Sequence, residues 1–368
     1  MRCIYCGKTD KEVSFNRREH VVPKLMGGFN NNTLLHKLVC DTCNSKVFSP
    51  LESEFKEDTV EGLRFQMVNF NNDSQIRVRA EKVIRTIKAG FKEKMFDDMF
   101  PFLKIQADGT FKVASVPQIV IKNNNGKGFT VLIADKLKNI NKQSSRFRDL
   151  KYWFRNTDQK NVSIFVGSNE ANDQKEMEEA IQLVRDLGID YKEGKRIFVE
   201  SKDIEGTKLE TELKATVNNS VGRIIAKIAF NYFAYCAEKE GRADILFSPS
   251  FNKIKKYILG ELDVPIKEII PLMQTEPIIQ DEKVENSRLL GHMVSFRQHG
   301  DYIIAELSFL GGNIYTVVLG EIPDEFKRKD FGCGHIFDPI SRNIHQLTKN
   351  ESKWGSGQEA GWGLFKID

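Results

Sequence analysis

Six residues near the N-terminus are of types that can hold a metal or move a proton. Cys3 and Cys6 form one Cys-x2-Cys knuckle, and Cys40 and Cys43 form another. Between them Glu19 and His20 precede Val21, Val22 and Pro23, with Gly27 and Gly28 following. Two knuckles at this separation can close a tetrahedral thiolate shell around zinc, so a loop without a hydrophobic core is held by metal. A closed four-thiolate shell leaves no open coordination position, which makes such a zinc structural. Any chemistry must then come from the residues the zinc supports. Imidazole titrates near about pH 6.5, so His20 is suited to accept a proton from water at neutral pH.

The motif continues past the glycines through an apolar run into Val39, Cys40, Asp41, Thr42, Cys43 and Asn44, then Lys46. Taken in order, these residues resemble the HNH endonucleases in their four-cysteine form, over roughly residues 1–58. The resemblance implies a ββα-metal module and hydrolysis of phosphodiester bonds in DNA, with structural Zn²⁺ and a catalytic Mg²⁺ or Mn²⁺. It makes His20 the general base and Glu19 and Asn44 the ligands of the catalytic cation; both offer oxygen, as a hard divalent ion prefers. Adjacent residues on an extended strand point to opposite faces, and in the family a twisted hairpin lets the acid and the His act together. The middle Asn of the family signature usually stands where this chain has Leu35; Asn30, Asn31 and Asn32 lie earlier, and Asn32 is assigned the role of fixing the loop and the base. Arg17 and Arg18 could grip phosphates bidentately, or be solvated charges on a hairpin edge. His36 departs from the pattern.

Two rival readings stay open. One is a non-catalytic zinc-ribbon protein that binds nucleic acid, with His20 and Asn44 structural. The other is an effector nuclease gated by a regulatory ligand or partner sensed in the C-terminal region.

At 368 residues the chain can bury a core well beyond the zinc module. With 55 basic against 51 acidic residues the net charge is +4, so any nucleic-acid surface must be a local patch. The two remaining cysteines, Cys236 and Cys333, lie far apart, which fits a reducing, cytoplasmic setting better than a disulfide scaffold. No apolar run precedes Cys3, so neither a signal peptide nor a membrane span is expected.

The elements that must position these residues read as α+β: the HNH-type zinc module at 1–58, mixed α/β at 59–210, and an α+β domain at 211–368. Residues 49–55 read as the end of the helix carrying Cys43 and Asn44, bent at Pro50. Over 77–94, basic residues among Ile76, Val83, Ile84, Ile87 and Phe91 suit an amphipathic helix whose basic face, with Arg85 and Lys88, could contact a DNA backbone. A hairpin is expected from 118–122 and 129–133, and a packed basic and aromatic helix over 146–155. Helices over 173–187 and 251–259 and a strand at 195–200 follow the α/β pattern. A long apolar helix over 217–239 is the expected centre of the last domain, and 293–322 reads as a three-stranded meander. The tail with Trp354 and Trp362 lacks periodicity.

Overall fold

The computed structural model describes residues 1–29, 33–68, 75–78, 83–89, 100, 102–105, 111–114, 116–123, 129–137, 140, 142–155, 159–166, 171–188, 192–198, 209–215, 217–274, 291–310, 313–324, 332–339, 341–349 and 365–367. Asn30, Asn31, Asn32 and the tryptophan-bearing tail lie outside them. The chain divides into two compact units: Met1–Lys56 with Val217–Asp368, and Glu57–Thr216. The sequence pattern divides it into three segments; in the structure the two terminal ones share one unit, because the N-terminal module has too few apolar residues to enclose itself and closes its core with residues far along the chain.

The fold is a mixture of helices and strands. In the first 56 residues, β1 (Glu19–His20) and β2 (Leu34–Leu35) pair antiparallel, with Glu19 opposite Leu35 and His20 opposite Leu34. After Cys40 the chain enters a helix that runs through a wide π-turn (Cys43–Phe48) into α1 (Ser49–Asp58). The π-turn ends just before Pro50, which has no N–H to give to the preceding turn.

Within Glu57–Thr216, α2 (Val60–Val68) leads to β3 (Gln75–Val78) and β4 (Val83–Ala89). Where they are described, at 77–78 and 83–89, the residues of the expected helix are strand instead. The run is dense in β-branched Ile, Val and Thr, which lose side-chain freedom in a helix and fit a pleated sheet. β4 pairs with β11 (Leu209–Ala215), setting Arg85 opposite Leu213 and Lys88 opposite Glu210. Arg85 and Lys88 are three apart, a spacing that gives a shared face on a helix and not on a strand. The single basic face is thereby lost. β5 (Phe102–Ile105) and β6 (Phe111–Ala114) form their own hairpin.

The expected central hairpin is β7 (Gln118–Asn123) with β8 (Phe129–Ile133). It is followed by α3 (Ala134–Leu137), α4 (Ser145–Arg155), β9 (Gln159–Val166), α5 (Ala171–Asp186) and β10 (Lys192–Phe198). The sheet order is β10-β9-β7-β8-β3, with β9 and β10 parallel across α5. Strand alternation splits its apolar residues between two cores: Ile119, Ile121 and Leu132 against α4 and α5, Val120, Val131 and Ile133 against α2.

The C-terminal part of the first unit is built around α6 (Asn219–Lys239), whose start is capped by Asn218 accepting from the Val221 N–H at 3.2 Å. Then come α7 (Asn252–Leu259), β12 (Leu272–Gln274), β13 (His292–His299), β14 (Tyr302–Ser308), β15 (Ile314–Glu321), β16 (Gly332–Phe337), β17 (Ile344–Lys349) and β18 (Phe365–Ile367). These seven strands form one antiparallel sheet, ordered β12-β15-β14-β13-β16-β17-β18. The expected meander is its β13–β15 segment. α6 is buried over most of its circumference, as an apolar helix needs when covered on two sides. Phe233 and Tyr232 pack on Phe296 of the sheet, at 5.2 and 6.1 Å between rings, while Phe230 meets Tyr5 of the first knuckle at 5.6 Å. No helix among the described residues is long and apolar enough to cross a membrane.

Candidate active site

The four knuckle sulfurs lie within 4.8 Å of one another, with Cys3 Sγ 3.9 Å from Cys43 Sγ and Cys6 Sγ 3.7 Å from Cys40 Sγ. A zinc tetrahedron with bonds of about 2.3 Å has edges of about 3.8 Å, so this donor set fits zinc closely. The first knuckle is turned by Gly7 at φ +71°, which donates to the Cys3 carbonyl at 3.0 Å. The Ile4 N–H donates to the Leu38 carbonyl at 2.9 Å and draws the second knuckle against the first. Thiols packed this closely resist joint ionisation: the hydrogen bond from Cys43 pulls Cys3 down to about 5, and the same bond with burial pushes Cys43 up. A divalent cation at the centre removes that conflict.

Strand alternation sends Glu19 and His20 to different surroundings. Glu19 is 3% exposed, and its Oε1 takes the Lys227 ammonium together with a 2.9 Å hydrogen bond from Asn231 Nδ2. Lys227, wholly buried, also reaches Glu52 Oε1 at 2.5 Å and lies over the Phe48 ring at 5.3 Å. Asn231 uses both ends of its amide: Oδ1 accepts from Tyr5 Oη at 2.6 Å, and Nδ2 also donates to the His20 carbonyl at 3.3 Å. One turn of α6 thus holds the first knuckle and the Glu19-His20 strand together. Burial raises the Glu19 carboxyl pKa despite Lys227, and the two carboxylates keep Lys227 protonated against the opposing effect of its burial.

His20 is half-buried, and its pKa is lowered first by that burial and then by the charge of Lys227. Both effects favour the neutral imidazole, the form that accepts a proton. Asn44 sits in the π-turn, its Nδ2 donating to the Arg18 carbonyl at 3.4 Å beside the strand. Asp41 binds the loop ahead of Glu19, accepting from Ser14 Oγ at 2.7 Å and from the Asn16 and Arg17 N–H groups at 3.2 and 2.7 Å. Arg17 and Arg18 on that loop are exposed, as is His36.

The structure therefore brings the knuckles, Glu19, His20, Asn44, Arg17 and Arg18 into one neighbourhood. It does not present Glu19 and Asn44 as an open pair of cation ligands, since Glu19 is committed to Lys227 and Asn231. Arg85 and Lys88 lie in the other unit. Sequence reasoning missed Lys227, Asn231, Glu52 and Asp41. The signal for the first two was a Lys and an Asn one turn apart inside an otherwise apolar helix.

Residues 3–59 match the family model for HNH endonuclease. Neither the curated proteins nor the solved structures contain a match to the chain.

Proposed function

We propose that the chain, with its HNH endonuclease domain at residues 3–59, cleaves DNA by metal-dependent hydrolysis of phosphodiester bonds with His20 as the general base. The observation that carries this reading is the placement of His20: half-buried, on a strand fixed from beneath by α6 and flanked by exposed Arg17 and Arg18, with burial lowering its pKa. His20 takes a proton from water; the oxygen so activated attacks phosphorus, and the bond to the 3′ oxygen breaks. Arg17 and Arg18 hold phosphate oxygens and orient the backbone without reading sequence. A Mg²⁺ or Mn²⁺ ion, when bound, would supply neutralisation of charge on the phosphate and the departing oxygen. Asn44 and Glu19 would hold that ion, Glu19 only on giving up Lys227. The zinc at Cys3, Cys6, Cys40 and Cys43 stays structural.

The test is plasmid cleavage by zinc-loaded protein with Mg²⁺, Mn²⁺ or EDTA. His20→Ala should lower the rate on the order of 10²–10⁴-fold with zinc content unchanged. Wild-type turnover by that variant refutes the mechanism. A second reading, gating of the nuclease through the C-terminal region, is favoured by Lys227 and Asn231, because helix α6 from that region holds both Glu19 and the His20 carbonyl. Cleavage only after candidate nucleotide ligands are added would favour gating over constitutive activity.

A further inference from the structure

A second sulfur cluster lies away from the four knuckle cysteines and plays no part in the proposed hydrolysis. Tyr232 and Cys236, one turn apart on α6, face Cys333 and His335, two residues apart on β16. Tyr232 Oη lies 2.6 Å from His335 Nδ1 and donates to Cys333 Sγ at 3.3 Å. Cys333 Sγ is 3.8 Å from the same Nδ1, and Cys236 and Cys333 are near enough for each to shift the other's pKa. A phenol has one proton to give, so donation to the sulfur places a hydrogen on Nδ1, which in turn donates to Oη. That chain sets a hydroxyl donor against the Cys333 sulfur and braces the hydroxyl with the His335 ring.

The two sulfurs differ in access and in charge. Cys236 is 4% exposed, whereas Cys333 is half-buried. The hydrogen bond from Cys236, with those from His335 and Tyr232, pulls Cys333 down to about 4 against its burial. Burial pushes Cys236 well up, and the nearby Glu240 adds to that. The Lys239 ammonium, held over the Tyr235 ring at 4.6 Å, also feels both thiols. The half-buried sulfur is thus the one whose thiolate is favoured and the buried sulfur the one whose thiol is favoured, the division found in pairs that react and then resolve.

We propose that Cys333 and Cys236 form a peroxide-reactive thiol pair, with Cys333 the attacking sulfur, Cys236 the resolving one, and Tyr232 and His335 positioning groups. The Cys333 thiolate attacks one oxygen of hydrogen peroxide: an S–O bond forms, the O–O bond breaks, and hydroxide leaves to become water with the proton that the thiol gave up to solvent. The Cys236 sulfur then attacks the Cys333 sulfenic acid; an S–S bond forms, the S–O bond breaks, and hydroxide leaves as water with the Cys236 proton. Two thiols give two electrons, and one peroxide becomes two waters. The product ties α6 to β16.

The experiment treats zinc-loaded full-length protein with one equivalent of hydrogen peroxide, blocks remaining thiols with N-ethylmaleimide, and maps peptides without reduction. The expected result is a linked Cys236–Cys333 peptide, abolished in either single Ser variant. Cys236→Ser should instead accumulate a dimedone-trappable sulfenic acid at Cys333, a readout that needs no disulfide geometry and tests the attacking sulfur by itself. Thermal melts check that both variants remain folded. Recovery of Cys236 and Cys333 as blocked free thiols after the peroxide is consumed, or no dimedone adduct at Cys333 in folded Cys236→Ser, overturns the proposal.

Discussion

Lys227→Met removes a buried ammonium while keeping most of its apolar stem, and its cost can be worked from the surrounding charges. Lys227 is wholly buried between Glu19, 3% exposed, and Glu52, 2.5 Å away. At an effective dielectric of about 20 the Glu52 attraction alone is about 7 kcal/mol gross. Desolvation of several kcal/mol per ion offsets most of it, so the intact triad adds little net stability. Deletion is different, because it strands a buried carboxylate; such losses run about 3–5 kcal/mol. For a folded unit of roughly 150–250 residues this lowers the melting temperature by roughly 6–20 °C. The assay is thermal unfolding by circular dichroism at matched zinc. Adding Glu19→Gln to the Lys227→Met background removes the stranded charge, keeps an acceptor for Asn231, and should regain part of the stability. A Lys227→Met protein that melts within about 2 °C of wild type, or a double variant no more stable than the single, refutes the reasoning.

Cys40→Ser should release zinc and, because Tyr5 and Phe48 pack against α6, also loosen the neighbourhood of Lys227; a full equivalent of zinc in the variant would remove Cys40 from the ligand set. Replacing Arg17 and Arg18 together by Gln should flatten the salt dependence of DNA binding by up to about 0.9 log units for each phosphate left without its cation; an unchanged slope returns them to solvated charges. His292, fully buried with Nε2 donating to the Met26 carbonyl at 2.9 Å, is pushed down to about 4 by burial. Its folded pKa lies below the unfolded value of about 6.5, so protons favour the unfolded chain: the stability is present above pH 6.5 and lost as pH falls toward 4, on the order of 3 kcal/mol in all. Urea midpoints at pH 7 and 4.5 in wild type and His292→Phe should show the extra acid sensitivity only in the former.

The four-cysteine cluster was legible because paired thiols at that spacing suit zinc, while the roles expected of His20 and Asn44 rest on the family resemblance. The support beneath was not, since Lys227 and Asn231 reach Glu19 across most of the chain and sequence spacing carries no trace of such a meeting. Apolar periodicity found α6, and its two internal polar residues marked where something charged had to meet it. Over 77–94 the charged residues fitted either period; the β-branched residues between them were the better guide, and they favoured strands. α4 has no β-branched residue and was read as a packed helix, and Phe147 and Leu150 are buried while Tyr152 is 73% exposed.

The first unit is interrupted in sequence by the whole of the second, Glu57–Thr216. During synthesis the knuckles and the Glu19-His20 strand emerge first, and at about 5–20 residues per second the intervening unit takes roughly 8–32 s to follow. Over that interval Tyr5 lacks Asn231, Glu19 lacks Lys227, and Phe48 and Phe55 lack the surfaces they later cover. Protease sensitivity of nascent chains stalled at residue 216, with zinc present, reads that gap directly. Until α6 leaves the ribosome, the N-terminal end of this chain exists as sequence without its foundation, so the order of translation itself delays assembly around the Glu19-His20 strand.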